Sequence, residues 1–175
     1  MTFANGAGTP AVIVVMGVAS SGKTSLGERL AERLGWPFRD ADSFHPPANV
    51  AKMSSGIPLT DEDRKPWLAA IAAWIDDLRT TGGKGIVTCS ALKKAYRDVI
   101  VGNRPDVALV YLKGSRELIG QRMAARQHHF MPPALLDSQF ATLEEPGADE
   151  NPLVVQVEAS KEAIVEQVVR ELGLS

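Results

Sequence analysis

The chain has 175 residues, of which 45% are hydrophobic and 23% are charged, with 19 Lys and Arg against 21 Asp and Glu. A chain of this size buries roughly 70% of its unfolded surface, so we expect one domain over residues 1–175 with a proper core. The formal net charge of −2 excludes the strongly basic field that holds nucleic acid or an anionic membrane. The single cysteine cannot form an intramolecular disulfide, so the composition does not require an oxidising compartment.

The first residues resemble neither a secretory signal nor a membrane anchor. Residues 1–10 are small and polar, and no Lys or Arg precedes Lys23. The longest apolar run, 11–19, is nine residues long, whereas a bilayer-spanning helix needs about 20. We expect a cytoplasmic protein without a membrane partner, with a flexible tail over residues 1–10.

Five short strand-like runs predict the strands of a sheet. The run at 11–16 is β-branched and wholly apolar, which is typical of a strand buried on both faces of a parallel sheet. Helical patterns separate most of the runs, as with Leu26, Leu30 and Leu34. We expect an α/β protein in three layers, a five-stranded parallel sheet with helices on both faces. The other four runs are 37–40, 86–89, 107–112 and 153–157.

Two segments, 43–65 and 126–133, interrupt this alternation. Both are rich in Pro, Gly and charge and lack the apolar periodicity of core elements, so we expect them to be mobile flaps over a site. After the first segment, apolar spacing predicts a helix opened by Pro66. The three acidic residues that begin at Asp61 also have the character of a helix start, because acids favour the positive end of the helix dipole.

A phosphate-binding pattern follows the first predicted strand. The residues G-V-A-S-S-G-K-T match G-x-x-x-x-G-K-S/T, in which glycines let successive backbone N–H groups point inward at the start of a helix. Lys23 would contact the β- and γ-phosphates of ATP, and the hydroxyl of Thr24 would bind Mg²⁺. An ordinary Gly-rich turn with a surface lysine is the alternative. The predicted nucleotide-binding residues of this loop are Gly17, Val18, Ala19, Ser20, Ser21, Gly22, Lys23 and Thr24.

Two carboxylates, Asp40 and Asp42, end the second predicted strand. Alternate residues of an extended strand point to the same face, so both can face one cleft at the carboxyl edge of the sheet. One could hold Mg²⁺ through water while the other accepts a hydroxyl proton. No acidic residue ends the third strand, so Asp40 is the favoured metal ligand. Which of Asp40 and Asp42 acts as the base stays open. The alternative is a loop that uses Asp only to turn the chain.

Four further polar residues are candidates for contacts with substrate or phosphate. Ser90 and Lys93 follow the third predicted strand, whose carboxyl end borders the active cleft in such sheets. Arg122 and Arg126 lie where a helix breaks into the 126–133 segment. A closing lid could bring these arginines onto the transferring phosphate, or they could be cations that favour a helix C-terminus.

Several stretches together resemble the gluconokinases, the small P-loop sugar-acid kinases. They are GVASSGKT, DADSFHPPANVAKMSSGIPLTDEDRKPW, CSALKKAYRD, VYLKG, RQHHFM and FATLEEPGADE, and they span about residues 12–157. The long block from DADSFHP to DRKPW and the CSALKK stretch are far more specific than the phosphate-binding pattern. The resemblance implies phosphorylation of D-gluconate at its 6-hydroxyl with ATP and Mg²⁺, a P-loop kinase fold and commonly a homodimer. It also implies a substrate-binding insertion at 43–65 and a lid at 126–133.

The resemblance assigns roles to individual residues. Asp42, His45 and Arg64 would belong to the gluconate pocket, with Asp42 as the base and Arg64 orienting the carboxylate. Arg122 would serve the nucleotide and lid, and Arg126 would be a catalytic residue of the lid. From its residue type alone, an isolated histidine such as His45 is more often structural.

One departure and two alternatives accompany the resemblance. Relatives usually have glycine where Ser20 stands, so Ser20 must adopt a backbone conformation that glycine finds easier. A related kinase that acts on shikimate, a nucleoside or another sugar acid is the nearest alternative. A non-catalytic ATP-binding regulatory module is the alternative from a different class.

Overall fold

The computed structural model describes residues 9–125 and 133–174. Its five strands form one parallel sheet in the order β2-β3-β1-β4-β5. This confirms the predicted α/β architecture, and each strand begins and ends within one residue of its predicted position. The strands are β1 (Val12–Met16), β2 (Phe38–Asp40), β3 (Gly85–Thr88), β4 (Val107–Lys113) and β5 (Leu153–Gln156).

Helices cover both faces of the sheet. Ile13 and Val15 of β1 point into a core with the helix that follows β1 and the last helix, while Val12, Val14 and Met16 point into a second core on the opposite face. This burial on both faces explains why β1 is apolar at every position. None of the helices within 9–125 and 133–174 could span a bilayer. The helices are α1 (Lys23–Leu34), α2 (Pro47–Ser54), α3 (Asp61–Thr81), α4 (Lys94–Ile100), α5 (Arg116–Ala125), α6 (Pro133–Thr142) and α7 (Lys161–Glu171).

Helix α3 begins at Asp61 and not at Pro66, which lies inside it. The hydroxyl of Thr60 accepts the N–H of Asp63 at 3.1 Å, and the Asp63 carboxylate accepts the N–H of Thr60 at 2.9 Å. This reciprocal capping box satisfies two backbone donors and fixes the start upstream of the proline. The start predicted at Pro66 was therefore wrong, and the acidic start was correct.

Replacing Thr60 with Ala should lower the free energy of unfolding by about 1 kcal/mol, because the N–H of Asp63 loses its acceptor. Urea denaturation followed by circular dichroism measures this change. Thr60→Ser keeps the hydroxyl and is the matched control. Equal stability of the Ala and Ser variants would contradict the capping role.

The 43–65 segment is largely helical, which its missing apolar periodicity did not indicate, and its role as a flap over a site stays a prediction. A 3-10 turn over 41–44 leads into α2, and α3 begins within the segment. Asn49 is buried, and its side-chain amide donates to the Asp63 carbonyl at 2.8 Å and lies 3.2 Å from Nδ1 of His45. Polar contacts of this kind hold the segment, and apolar periodicity cannot indicate them.

A buried ion pair joins the segment after β3 to the segment before β5. Arg97 is 1% exposed, and its guanidinium donates to both carboxylate oxygens of Glu150 at 2.6 and 3.1 Å. It also donates to the carbonyl of Ala91 at 2.9 Å, a residue whose φ of 45° is left-handed. Bidentate pairing of this kind is geometrically specific. The pair therefore fixes the loop that carries Ser90 and Lys93.

Candidate active site

Residues 17–22 form a tight bend between β1 and α1 at the carboxyl edge of the sheet. A Cβ on Gly17 would lie 2.6 Å from Oγ of Ser21 and 3.2 Å from the carbonyl of Leu112, so only glycine fits there. Gly22 caps α1 with a φ of 101°. Ser20 has a φ of 65°, which confirms that it adopts a conformation easier for glycine.

The bend presents donors that fit phosphate groups. Nζ of Lys23 donates to the carbonyl of Val18 at 3.0 Å, which folds the ammonium group back over the loop. Among the described residues, no side chain caps the first turn of α1, and the buried Oγ of Ser21 lacks a hydrogen-bond partner. Helix N–H groups and a buried hydroxyl are suitable donors to an anion. The cradle therefore fits the phosphates of a nucleotide.

Thr24 and Asp40 bring two oxygens together beside this cradle. The Thr24 hydroxyl lies 3.5 Å from Oδ2 of Asp40, and Oδ1 of the same carboxylate accepts the N–H of Asp42 at 2.9 Å. Mg²⁺ usually takes one or two protein oxygens and completes its shell with phosphates and water. The two predicted metal ligands are thus adjacent and of the right chemistry.

Asp42 lies in the 3-10 turn over 41–44 that follows β2. The strand alternation that predicted a shared face for Asp40 and Asp42 was therefore the wrong geometry, because β2 ends at Asp40, which caps the turn. Burial and the neighbouring Asp40 raise the pKa of Asp42, while His45 and Lys23 lower it. A partly buried carboxyl group with a raised pKa is suited to proton transfer.

His45 is held by an aromatic stack. Its ring lies 4.5 Å from the Trp67 ring, with 10° between the planes, and Nε1 of Trp67 donates to the carbonyl of Ala41 at 2.7 Å. Burial lowers the pKa of His45, Asp42 raises it, and Arg64 lowers it. The net downward shift of the pKa favours the neutral imidazole, which can both donate and accept a hydrogen bond.

Arg64 and Lys93 both lie near the ring of Tyr96, at 5.7 and 5.6 Å from its centroid. Nη1 of Arg64 donates to the carbonyl of Leu59 at 3.0 Å and lies 3.4 Å from the Tyr96 hydroxyl. Nζ of Lys93 lies 3.4 Å from Asp61, which accepts the Tyr96 hydroxyl at 2.6 Å. The hydrogen bonds that Tyr96 and Lys93 donate to Asp61 lower the pKa of its carboxyl group. The structure thus brings both predicted cations together, and no sequence pattern indicated the part of Asp61 and Tyr96.

A cavity of about 450 Å³ adjoins the phosphate cradle. Nη2 of Arg122 donates to the carbonyl of Val157 at 2.6 Å at its wall. Its size and partly apolar lining suit a flat aromatic base. Arg122 therefore lines the cavity beside the cradle, and its nucleotide role stays a prediction. Arg126 and residues 126–132 of the predicted lid lie outside the described residues. The other lining residues include Ser21, Gly22, Leu26, Arg29, Ser160 and Ile164.

The remaining candidate is Ser90, which follows β3. Ser90 is partly buried at the carboxyl end of that strand, the edge where the cradle also lies. Cys89 is buried beside it, and burial raises the pKa of its thiol to about 12. Cys89 is therefore a core residue and not a nucleophile.

Known proteins resemble this chain over most of its length. The shikimate kinase family model matches residues 19–172. The gluconokinase of Gluconobacter oxydans (strain 621H) is 45% identical over 161 residues, which cover 92% of this chain and 90% of that protein. The thermoresistant gluconokinase of Escherichia coli (strain K12) is 42% identical over 159 residues, covering 90% and 91%.

A solved structure supports the same family relationship. The crystal structure of a gluconokinase from Sinorhizobium meliloti 1021 has a TM-score of 0.83 and 44% identity, and the match covers 94% of this chain and 93% of that one. Identity at this level over nearly the whole of both chains extends well beyond the phosphate-binding pattern. The chain therefore belongs to the gluconokinases, and to the wider family that the shikimate kinase model describes.

Proposed function

We propose that this protein transfers the γ-phosphoryl group of ATP to the 6-hydroxyl of D-gluconate, giving 6-phospho-D-gluconate and ADP. One observation carries the proposal: a phosphate cradle, a carboxyl group with a raised pKa and a pair of cations share one edge of the sheet. Electrostatic interactions connect these three parts. The Asp42 side chain interacts with those of Lys23 and His45, and the His45 side chain interacts with that of Arg64. The family relationship gives the acceptor its identity.

The nucleotide side would hold ATP by its phosphates and its base. Backbone N–H groups of the 17–24 loop and the ammonium group of Lys23 bind the β- and γ-phosphates. Thr24 and Asp40 would hold Mg²⁺, which would supply positive charge at the phosphates. The base enters the neighbouring cavity beside Arg122. This arrangement leaves the γ-phosphate facing the acceptor side.

The acceptor side would hold gluconate in line with that phosphate. Arg64 and Lys93 bind the carboxylate at one end of the sugar acid, which places the 6-hydroxyl at the other end. His45 and Ser90 hydrogen-bond the hydroxyl groups between them. Asp42 accepts the proton of the 6-hydroxyl. At the same time the oxygen of that hydroxyl bonds to the γ-phosphorus, and the bond between this phosphorus and the ADP oxygen breaks. Positioning and charge supply most of the catalysis.

Three further parts of the proposal rest on the sequence and the family. Arg126, at the start of the predicted 126–133 lid, would add positive charge to the transferring phosphoryl group. The protein would act as a homodimer, since relatives are commonly dimers. It would work in the cytoplasm, where its substrates ATP and gluconate are both available.

An ADP-release assay over a panel of acceptors tests the function. Gluconate should support rapid turnover, while shikimate, a nucleoside and other sugar acids should not, and ³¹P NMR should show the phosphate on carbon 6 of the product. Turnover with shikimate but not with gluconate would reverse the choice of acceptor. Slow hydrolysis that needs no acceptor would instead favour a regulatory module.

A further inference from the structure

Gln139 occupies a position of α6 where the helical pattern favours an apolar residue. Leu136 is buried in the core, and Phe140 and Leu143 pack partly buried against the same core. Residues three, four and seven apart share one helix face, so Gln139 lies on the face that α6 turns to the sheet. A polar side chain on such a face needs a hydrogen-bond partner.

The partner is the phosphate-binding loop. Oε1 of Gln139 accepts the backbone N–H of Ala19 at 2.6 Å, across 120 residues of sequence. Ala19 directly precedes Ser20, whose φ of 65° places a non-glycine residue in the left-handed region. The hydrogen bond therefore fixes the peptide next to the strained bend and directs the N–H of Ala19 towards α6.

We infer that Gln139 is a positioning residue of the nucleotide site, which holds the Ala19 peptide and thereby keeps the strained Ser20 bend in its phosphate-binding shape. The inference rests on the proposed nucleotide function of the 17–24 loop. Strained backbone persists only where its surroundings over-determine it, and here the surrounding contact comes from a helix anchored in the core by Leu136. Without the bond, the bend gains other conformations, and phosphate must select one of them.

The test is nucleotide affinity in Gln139→Leu. Leucine fits the apolar face of α6 and removes the acceptor, so the thermal midpoint without nucleotide should stay the same or rise. The Kd of ADP, measured by titration calorimetry, should rise by about tenfold, the size expected when a donor loses its partner. The kcat and the KM for gluconate at saturating ATP should change by less than about twofold. Ser138→Ala, on the exposed face of the same helix, is the matched control and should bind ADP as the wild type does.

A second variant tests the route through the bend. Adding Ser20→Gly to Gln139→Leu should restore most of the ADP affinity, because glycine adopts the left-handed conformation without strain. Unchanged or tighter binding in Gln139→Leu would overturn the inference, as would an equal loss in the double variant. A large fall in the nucleotide-free thermal midpoint would indicate a merely structural residue and overturn it too. Binding of ADP by the wild-type protein checks the proposed function separately, and its failure would overturn both.

Discussion

Replacing Lys23 with Ala should lower kcat by roughly 10³-fold or more and leave the fold intact. The ammonium group is the cation of the phosphate cradle, and phosphoryl transfer depends on positive charge at the transferring group. Nζ of Lys23 donates to the carbonyl of Val18 within the same loop, and the residue lies outside the buried core. Steady-state ADP release measures the loss, and circular dichroism with thermal melting checks the fold.

Lys84→Ala is the matched control for this substitution. Lys84 immediately precedes β3, at the amino edge of the sheet and opposite the cradle. Its loss removes the same charge from the protein without touching the proposed site. Near-wild-type turnover is expected for Lys84→Ala. If Lys23→Ala also kept near-wild-type turnover, the use of the 17–24 loop for phosphate would be wrong.

Replacing Asp42 with Asn should lower kcat by about 10²- to 10⁴-fold, because a general base contributes that much to proton transfer. The base must be ionised to accept the proton, so wild-type activity should fall as the pH decreases through the pKa of Asp42. Burial and Asp40 raise that pKa, which places the loss of activity at a higher pH than for an ordinary aspartate. The residual activity of Asp42→Asn should lack this acid limb. A pH profile of kcat for both proteins measures the difference.

Asp40→Asn separates the two carboxylates. This substitution should raise the concentration of Mg²⁺ needed for half-maximal activity and should leave the acid limb in place, because Asp40 lies beside Thr24 on the nucleotide side. Loss of the acid limb in Asp40→Asn, with its retention in Asp42→Asn, would assign the base to Asp40 instead. A Mg²⁺ titration at fixed ATP and a pH profile of kcat, both measured on the two variants, distinguish these outcomes.

Local patterns predicted the parts of the molecule that depend on neighbouring residues. The central strands β1, β3 and β4 are short, largely apolar runs because they are buried on both faces. Helices with their own periodicity separate most of the runs. The 17–24 loop could be predicted because its glycines, Lys23 and Thr24 act within one turn of the chain. The expectation that Ser20 adopts a conformation easier for glycine came from the family resemblance, and its φ of 65° confirms it.

The other features depend on contacts between distant residues. The bond between Gln139 and Ala19 joins positions 120 residues apart, and the bond between Tyr96 and Asp61 joins positions 35 apart. Contacts between such distant residues leave no periodic pattern in the sequence. For Gln139, the one local signal was a polar residue on an otherwise apolar helix face. The helical content of 43–65 was missed for a similar reason, since polar contacts such as those of Asn49 hold it.

A crystal structure of the protein with D-gluconate and a nonhydrolysable ATP analogue tests the central claim most directly. The β- and γ-phosphates should lie in the 17–24 loop against Lys23, and the gluconate carboxylate should contact Arg64 and Lys93. The 6-hydroxyl should then lie about 3 Å from the Asp42 carboxylate and in line with the γ-phosphorus. Phosphates bound elsewhere, or a 6-hydroxyl directed away from the γ-phosphate, would contradict the account.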